Sequence, residues 1–171
     1  MYKGSERDIL TGDGQMAVGP ENDRSKRLFA TERSAKQFLC KADARYRIPA
    51  ASQKKALLVG FAMCGKALTG SAYDAVRLEY EIDLDDPEVI ARDNAAITLI
   101  EIKSTAQESI GPDLKGYFFN ITAAELMVAQ SLKDQYRFVF LNLVRGDWQE
   151  LSINEVLSRS KAMYPAYHIR L

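Results

Sequence analysis

Histidine occurs once in the chain, at His168, and cysteine twice, at Cys40 and Cys64. A Ser-His-Asp or Cys-His site needs an imidazole beside its nucleophile, and a His-rich zinc site needs several. With one histidine, any hydrolytic chemistry is expected to rest on carboxylates and lysines. The cysteines have no metal-ligand spacing and no nearby histidine, and both fall in predicted helices. They read as reduced, partly buried thiols of a cytoplasmic protein. Long apolar runs are also missing. The longest, "ALLVGFAM" from Ala56 to Met63, is far short of the ~20 residues that cross a bilayer. No membrane segment is expected, and the first residues lack the apolar stretch of a signal peptide.

Net charge is missing as well: 23 Lys and Arg balance 23 Asp and Glu. The balance conceals a segregation. Between Arg24 and Lys66 eleven basic residues face only Glu32 and Asp43. Between Ser71 and Glu101 nine acids face only Arg77 and Arg92. Two readings stay open. One is a phosphate-binding surface beside a cation site; the other is two solvated faces that neutralise each other.

What is present suits a single domain. The 171 residues are 47% hydrophobic and 27% charged, enough for one sizeable core. Residues 1–22 are rich in Gly, Pro and polar residues and read as a flexible arm. Residues 23–171 read as one domain, with a basic helical part over 23–70 and a core over 71–171. Ser25 to Tyr46 suits one amphipathic helix or two short ones, burying Phe29 and Leu39. Ser52 can cap a helix that stops at Thr69-Gly70. "VRLEYEI" alternates like a strand, although Ser71 could start a helix there. "EVIA", a turn near Arg92-Asp93-Asn94, and "ITLIEIK" read as a β-hairpin. "YFFNI" reads as a short strand and "YRFVFLNL" as a strong one from Tyr136 to Leu143, with "VRGDWQEL" giving a turn. Capping boxes at Thr122/Glu125 and Ser152/Glu155 open two helices. The order predicts an α/β domain with a mixed sheet flanked by helices and an N-terminal helical segment.

"ITLIEIK" carries Glu101 and Lys103 on one face of an apolar strand, where charges are rare without a purpose. If the predicted turn centres between Asp93 and Asn94, Asp86 lies opposite Glu101 and Glu88 opposite Leu99. All four charged residues then share a face, and a shift of one residue would separate the acids of the two strands. Adjacent carboxylates repel and are costly to bury unless a hard cation offsets the cost. Mg²⁺ takes oxygen ligands and usually one or two carboxylates. Lys103 could then orient or help deprotonate a water, or stabilise charge on a phosphorane. A second acid-x-Lys triplet, Asp113-Leu114-Lys115, lies in a Gly/Pro loop with no apolar strand. Lys115 is kept as a loop contact only. The competing reading of Glu101 and Lys103 is a structural salt pair.

"PEV" followed by "IEIKST" resembles the PD-(D/E)XK nuclease superfamily, whose core is an acid at the start of one strand and (D/E)-x-K on the next. "GYFFNITAAELMVAQSLKDQYRFVFLNL" is similar to the domain found in plant NO VEIN proteins and in bacterial restriction and DNA-defence proteins. That domain typically reads "YDI…IEVKTT…FFLS.NE…A…YRLYRV". The similarity spans Pro87 to Leu143, about a third of the chain. It implies a restriction-endonuclease-like core with Glu101 and Lys103 as the triplet. The family spacing favours Glu88 as the first acid, thirteen positions before Glu101, with Asp86 as the alternative. Glu88 stands where the family usually has Asp. Glu125 and Arg137 match accessory positions, and Tyr136 is expected in the core. The implied activity is Mg²⁺-dependent DNA cleavage, with Mn²⁺ able to substitute. The basic helices, through Lys36, Lys41, Lys54 and Lys55, would hold phosphates. One such site cuts one strand, so a homodimer or partner subunit is implied for double-strand cleavage. The alternative is a catalytically decayed module of the same fold that binds nucleic acid or protein.

Overall fold

A computed structural model describes residues 20–164, with side chains from residue 31 onward. Most of the expected arm, His168 and the side chain of Phe29 lie outside the described residues. Five strands form one mixed sheet in the order β1 (Tyr46–Arg47), β2 (Ala75–Leu78), β3 (Ile97–Thr105), β4 (Tyr136–Asn142), β5 (Trp148–Leu151). β3 and β4 are parallel and every other pair is antiparallel. The parallel pair needs a crossover, which α4 (Ala123–Leu132) supplies.

Helices cover both faces. α1 (Pro20–Ala42) lays Ala35 and Leu39 against Ala75, Ile100, Ile102, Val139 and Leu141. On the other face α2 (Ala51–Met63), α3 (Pro87–Arg92), α4 and α5 (Ile153–Arg159) bury Leu57, Phe61, Ile90, Val128 and Val156. They pack against Val76, Leu78, Leu99, Phe138 and Phe140. Period-two alternation therefore gives β3 two cores: Ile100 and Ile102 face α1, while Leu99, Glu101 and Lys103 face the other side.

Both capping boxes form. The Thr122 hydroxyl accepts from the Glu125 N–H at 3.2 Å, and Ser152 does the same for Glu155 at 3.2 Å. Three expectations are corrected. The segment "EVIA" is not a hairpin strand but α3, because Asp86-Pro87-Glu88 is a helix start. Asp86 Oδ1 accepts from the backbone N–H of Glu88 at 2.8 Å and of Val89 at 3.4 Å. Pro87 occupies the first helical turn, where its missing N–H costs nothing. The antiparallel partner of β3 is instead β2, in the register Ala75↔Ile100. "YFFNI" is a loop, held by Tyr117 and Phe119 ring-to-ring on Phe140 at centroid distances of 5.9 and 4.8 Å. "WQEL" is β5 rather than part of a turn, and the turn before it closes on Gly146 at φ 74°. In addition, α2 is capped at Ala50, not Ser52, and ends at Met63 rather than near Thr69. Gly60 lets α2 and α3 touch: a Cβ there would lie 2.5 Å from the Ile90 side chain.

Candidate functional site

β2 begins at Ala75, so β3 runs on past it from Glu101 to Thr105. The Ile102 N–H thereby loses its strand partner. Asp74, immediately before β2, fills the gap: its Oδ2 accepts from Ile102 N at 3.0 Å, and its own N–H donates to Ile100 O at 2.8 Å. Extending the β2–β3 register by one residue sets Asp74 opposite Glu101. An acid at the mouth of one strand thus faces the acid-x-Lys of the next.

Glu101 is 8% exposed, with Phe138 beside it across β4. Lys103 Nζ donates to Glu101 Oε1 and to Glu125 Oε2, both at 2.8 Å. The same Glu125 oxygen accepts from the Thr122 N–H at 3.1 Å. The capping box of α4 therefore also fixes the lysine. Asp74 Oδ1 pairs with Lys36 of α1 at 2.9 Å, and Lys36 also pairs with Glu32 at 2.5 Å. Lys103 thus pairs with Glu101 and Glu125, and Lys36 with Asp74 and Glu32.

Burial pushes the Glu101 carboxyl up to about 8, and the neighbouring Asp74 charge adds to this. Lys103 opposes the shift without cancelling it. Burial alone would lower the Lys103 ammonium, but Glu101 and Glu125 more than compensate and hold it above its ordinary value. The Tyr136 phenol is raised by burial first and then by Glu101, Glu125 and Asp74. Its hydroxyl donates to Ala72 O, next to the Tyr73-Asp74 corner. Lys54 secures the same corner by donating to Tyr73 O at 3.2 Å, with its ammonium 5.0 Å from the Tyr73 ring centre.

Of the residues singled out in the sequence, the fold brings together Glu101, Lys103 and Glu125, and it ties Lys36 to Asp74. It does not bring Asp86 or Glu88 to them. Asp86 is spent as the cap of α3, Glu88 is exposed on that helix, and α3 packs on α2. Among the described residues no hydrogen bond or ion pair links either one to Glu101 or Lys103. Arg137 alternates to the opposite face of β4. There it meets Glu150 at 3.9 Å, Asp134 at 3.2 Å and Glu155 at 3.5 Å. Lys41, Lys55 and Lys115 are exposed, whereas Lys54 is occupied with backbone carbonyls. The residue missed in the sequence is Asp74. Its signal is present, since the acid of "YDA" at residues 73–75 stands directly before the alternating apolar segment that forms β2.

Asp74 and Glu101 offer oxygen donors of the kind and number that Mg²⁺ usually takes from protein. A carboxyl raised by burial, and further by its acidic neighbour, is also what a cation would relieve. Among the described residues no group of three or more His, Cys, Asp and Glu side chains is gathered as a metal cage. The donor set therefore fits a two-carboxylate site, not a closed one. No protein-family model, no curated protein and no solved structure matches the chain.

Proposed function

We propose that the protein is a Mg²⁺-dependent DNA endonuclease with a restriction-endonuclease-like core, acting in the cytoplasm in restriction, DNA defence or repair. The observation that carries this reading is Asp74 opposite Glu101, with Lys103 two residues on. That is the order and strand placement which the PD-(D/E)XK resemblance implies. Asp74 replaces Glu88 and Asp86 as the first acid. Asp74 and Glu101 would hold the cation, which when bound supplies Lewis-acid charge and a more acidic water.

The side chains divide the remaining work. Lys103 is fixed by two carboxylates at 2.8 Å, so its ammonium has one orientation to offer an attacking water or a phosphoryl oxygen. Glu125 is a positioning residue, because it touches Lys103 and the α4 cap. Tyr136 and Lys54 hold the corner from which Asp74 projects. The exposed Lys41 and Lys55 remain for phosphate contacts away from the site. One site accounts for one cut, so double-strand cleavage would take a homodimer or two events.

Nicking of supercoiled plasmid in Mg²⁺ or Mn²⁺ tests the reading. Wild type is expected to nick. Lys103→Ala and Glu101→Ala are each expected to lose about 10²-fold or more in rate. Nicking that is absent, or that survives both substitutions, contradicts it.

One observation favours the second reading, a module of the same fold without catalysis. Lys103 already satisfies Glu101 and Glu125, and Lys36 satisfies Asp74 and Glu32, so the cluster is held by ion pairs of the protein's own. A gel shift in Ca²⁺ together with no cleavage in Mg²⁺ would support that module.

A further inference from the structure

Lys36 reaches the cluster from α1, outside the sheet and α4. It projects from α1, on the face opposite Glu101 and Lys103, and reaches Asp74 around the end of β2. Its side chain is 20% exposed and that of Asp74 is 17% exposed. With Oδ2 of Asp74 bound to the Ile102 N–H, Oδ1 is the atom Lys36 holds, at 2.9 Å. A lysine in this position blocks the lone pairs that a metal would use.

The lysine also has somewhere to go. Glu32, one turn earlier on the same helix, accepts it at 2.5 Å and is 51% exposed. Releasing Asp74 therefore leaves the ammonium with a carboxylate partner in contact with solvent, so it is not buried alone. Lys103 differs: the side chains of both its carboxylate partners are more deeply buried, 10% and 7% exposed. Of the two lysines Lys36 is the exchangeable one.

We propose that Lys36 is a tethered competitor for the divalent cation: it neutralises Asp74 in the metal-free protein and swings wholly onto Glu32 when a cation takes the carboxylate. This rests on the metal-site reading above and adds a control to it. α1 sets the cation concentration at which the site assembles, and the metal-free protein avoids an unpaired Asp74 beside Glu101.

The test is Mn²⁺ binding by calorimetry to the full chain without DNA, for wild type, Lys36→Met, Lys41→Met and Asp74→Asn. Lys36→Met removes a charge-assisted hydrogen bond that the cation has to displace. It is expected to bind Mn²⁺ about 10- to 100-fold more tightly than wild type. Lys41→Met makes the same change of net charge at an exposed position of the same helix, and is expected to leave the affinity near wild type. Asp74→Asn is expected to lose the site. In thermal melts, Lys36→Met should start from a lower midpoint and gain more from Mn²⁺ than wild type does. Wild-type affinity in Lys36→Met, with binding still lost in Asp74→Asn, overturns the competitor and leaves the metal site standing. Equal tightening by Lys36→Met and Lys41→Met also overturns it, since the effect is then general charge. Absence of Asp74-dependent binding in both wild type and Lys36→Met overturns the metal site and the competitor together.

Discussion

Glu101 lies between Asp74, just before one neighbouring strand, and Phe138 on the other, with 8% of its surface exposed. Burial and the Asp74 charge lift its carboxyl from 4.5 to about 8. The consequence for stability has a definite sign. A carboxyl whose pKa is higher in the folded state binds its proton more tightly there than in the unfolded chain. It therefore contributes stability below about pH 4.5, and that stability is lost as the pH rises through about 8. Without metal, unfolding free energy from urea titrations is expected to fall between pH 5 and 8, by up to about 1.4 kcal/mol per pH unit. Glu101→Gln should flatten that slope, because the amide cannot ionise. Parallel slopes for the two proteins would show that Glu101 is not the group responsible. Divalent cation should restore part of the loss at the upper end of the window, by binding the folded carboxylate.

Elements decide which acids meet. α3 was written in the sequence as plainly as any helix, by Asp86 at the cap, Pro87 behind it and Glu88 in the first turn. It was obscured because "EVIA" is too short to separate a helix from a strand by periodicity. Asp86→Ala is expected to cost about 1 kcal/mol in stability through the lost cap, with Mn²⁺ affinity and nicking unchanged. A loss of metal binding in that variant would return Asp86 to the site. α3 also depends on Gly60, where a methyl group would meet Ile90 at 2.5 Å and Pro87 O at 2.9 Å. Gly60→Ala should therefore destabilise by about 1–3 kcal/mol in thermal or urea unfolding. A neutral result would mean that α2 and α3 separate freely. The two capping boxes were legible residue by residue, since each needs only Ser or Thr and a Glu three positions on. β5 and the two-residue β1 were not legible. Short edge strands are defined by the partner they lie against, Phe138↔Leu151 and Tyr46↔Arg77 here, more than by their own pattern.

Across the whole molecule, the two faces of the sheet differ in what they carry. The face packed by α2, α3, α4 and α5 carries Glu101 and Lys103, while the face under α1 is apolar except at its ends. The acidic segment from Ser71 to Glu101 does not gather into one patch. Asp74 and Glu101 converge at the end of β2, Asp86 caps a helix, and Glu81 pairs with Arg47 at 3.3 Å. The basic segment divides in the same way. Lys36 and Lys54 serve the Asp74 corner, and Lys41 and Lys55 face solvent. Local sequence gave no sign of this division, because it depends on where β2 stops relative to β3. Combining Lys41→Ala with Lys55→Ala should weaken DNA binding and reduce the dependence of log affinity on log salt by about 1.8. An unchanged slope would remove these lysines from the interface.

The central claim is that Asp74, and not an acid of α3, completes the site with Glu101 and Lys103. Its most direct test is the rate of Mn²⁺-supported plasmid nicking by wild type, Asp74→Asn and Glu88→Gln, measured side by side. Glu88→Gln is expected to match wild type and Asp74→Asn to lose about 10²-fold or more. Nicking retained in Asp74→Asn and abolished in Glu88→Gln would contradict it.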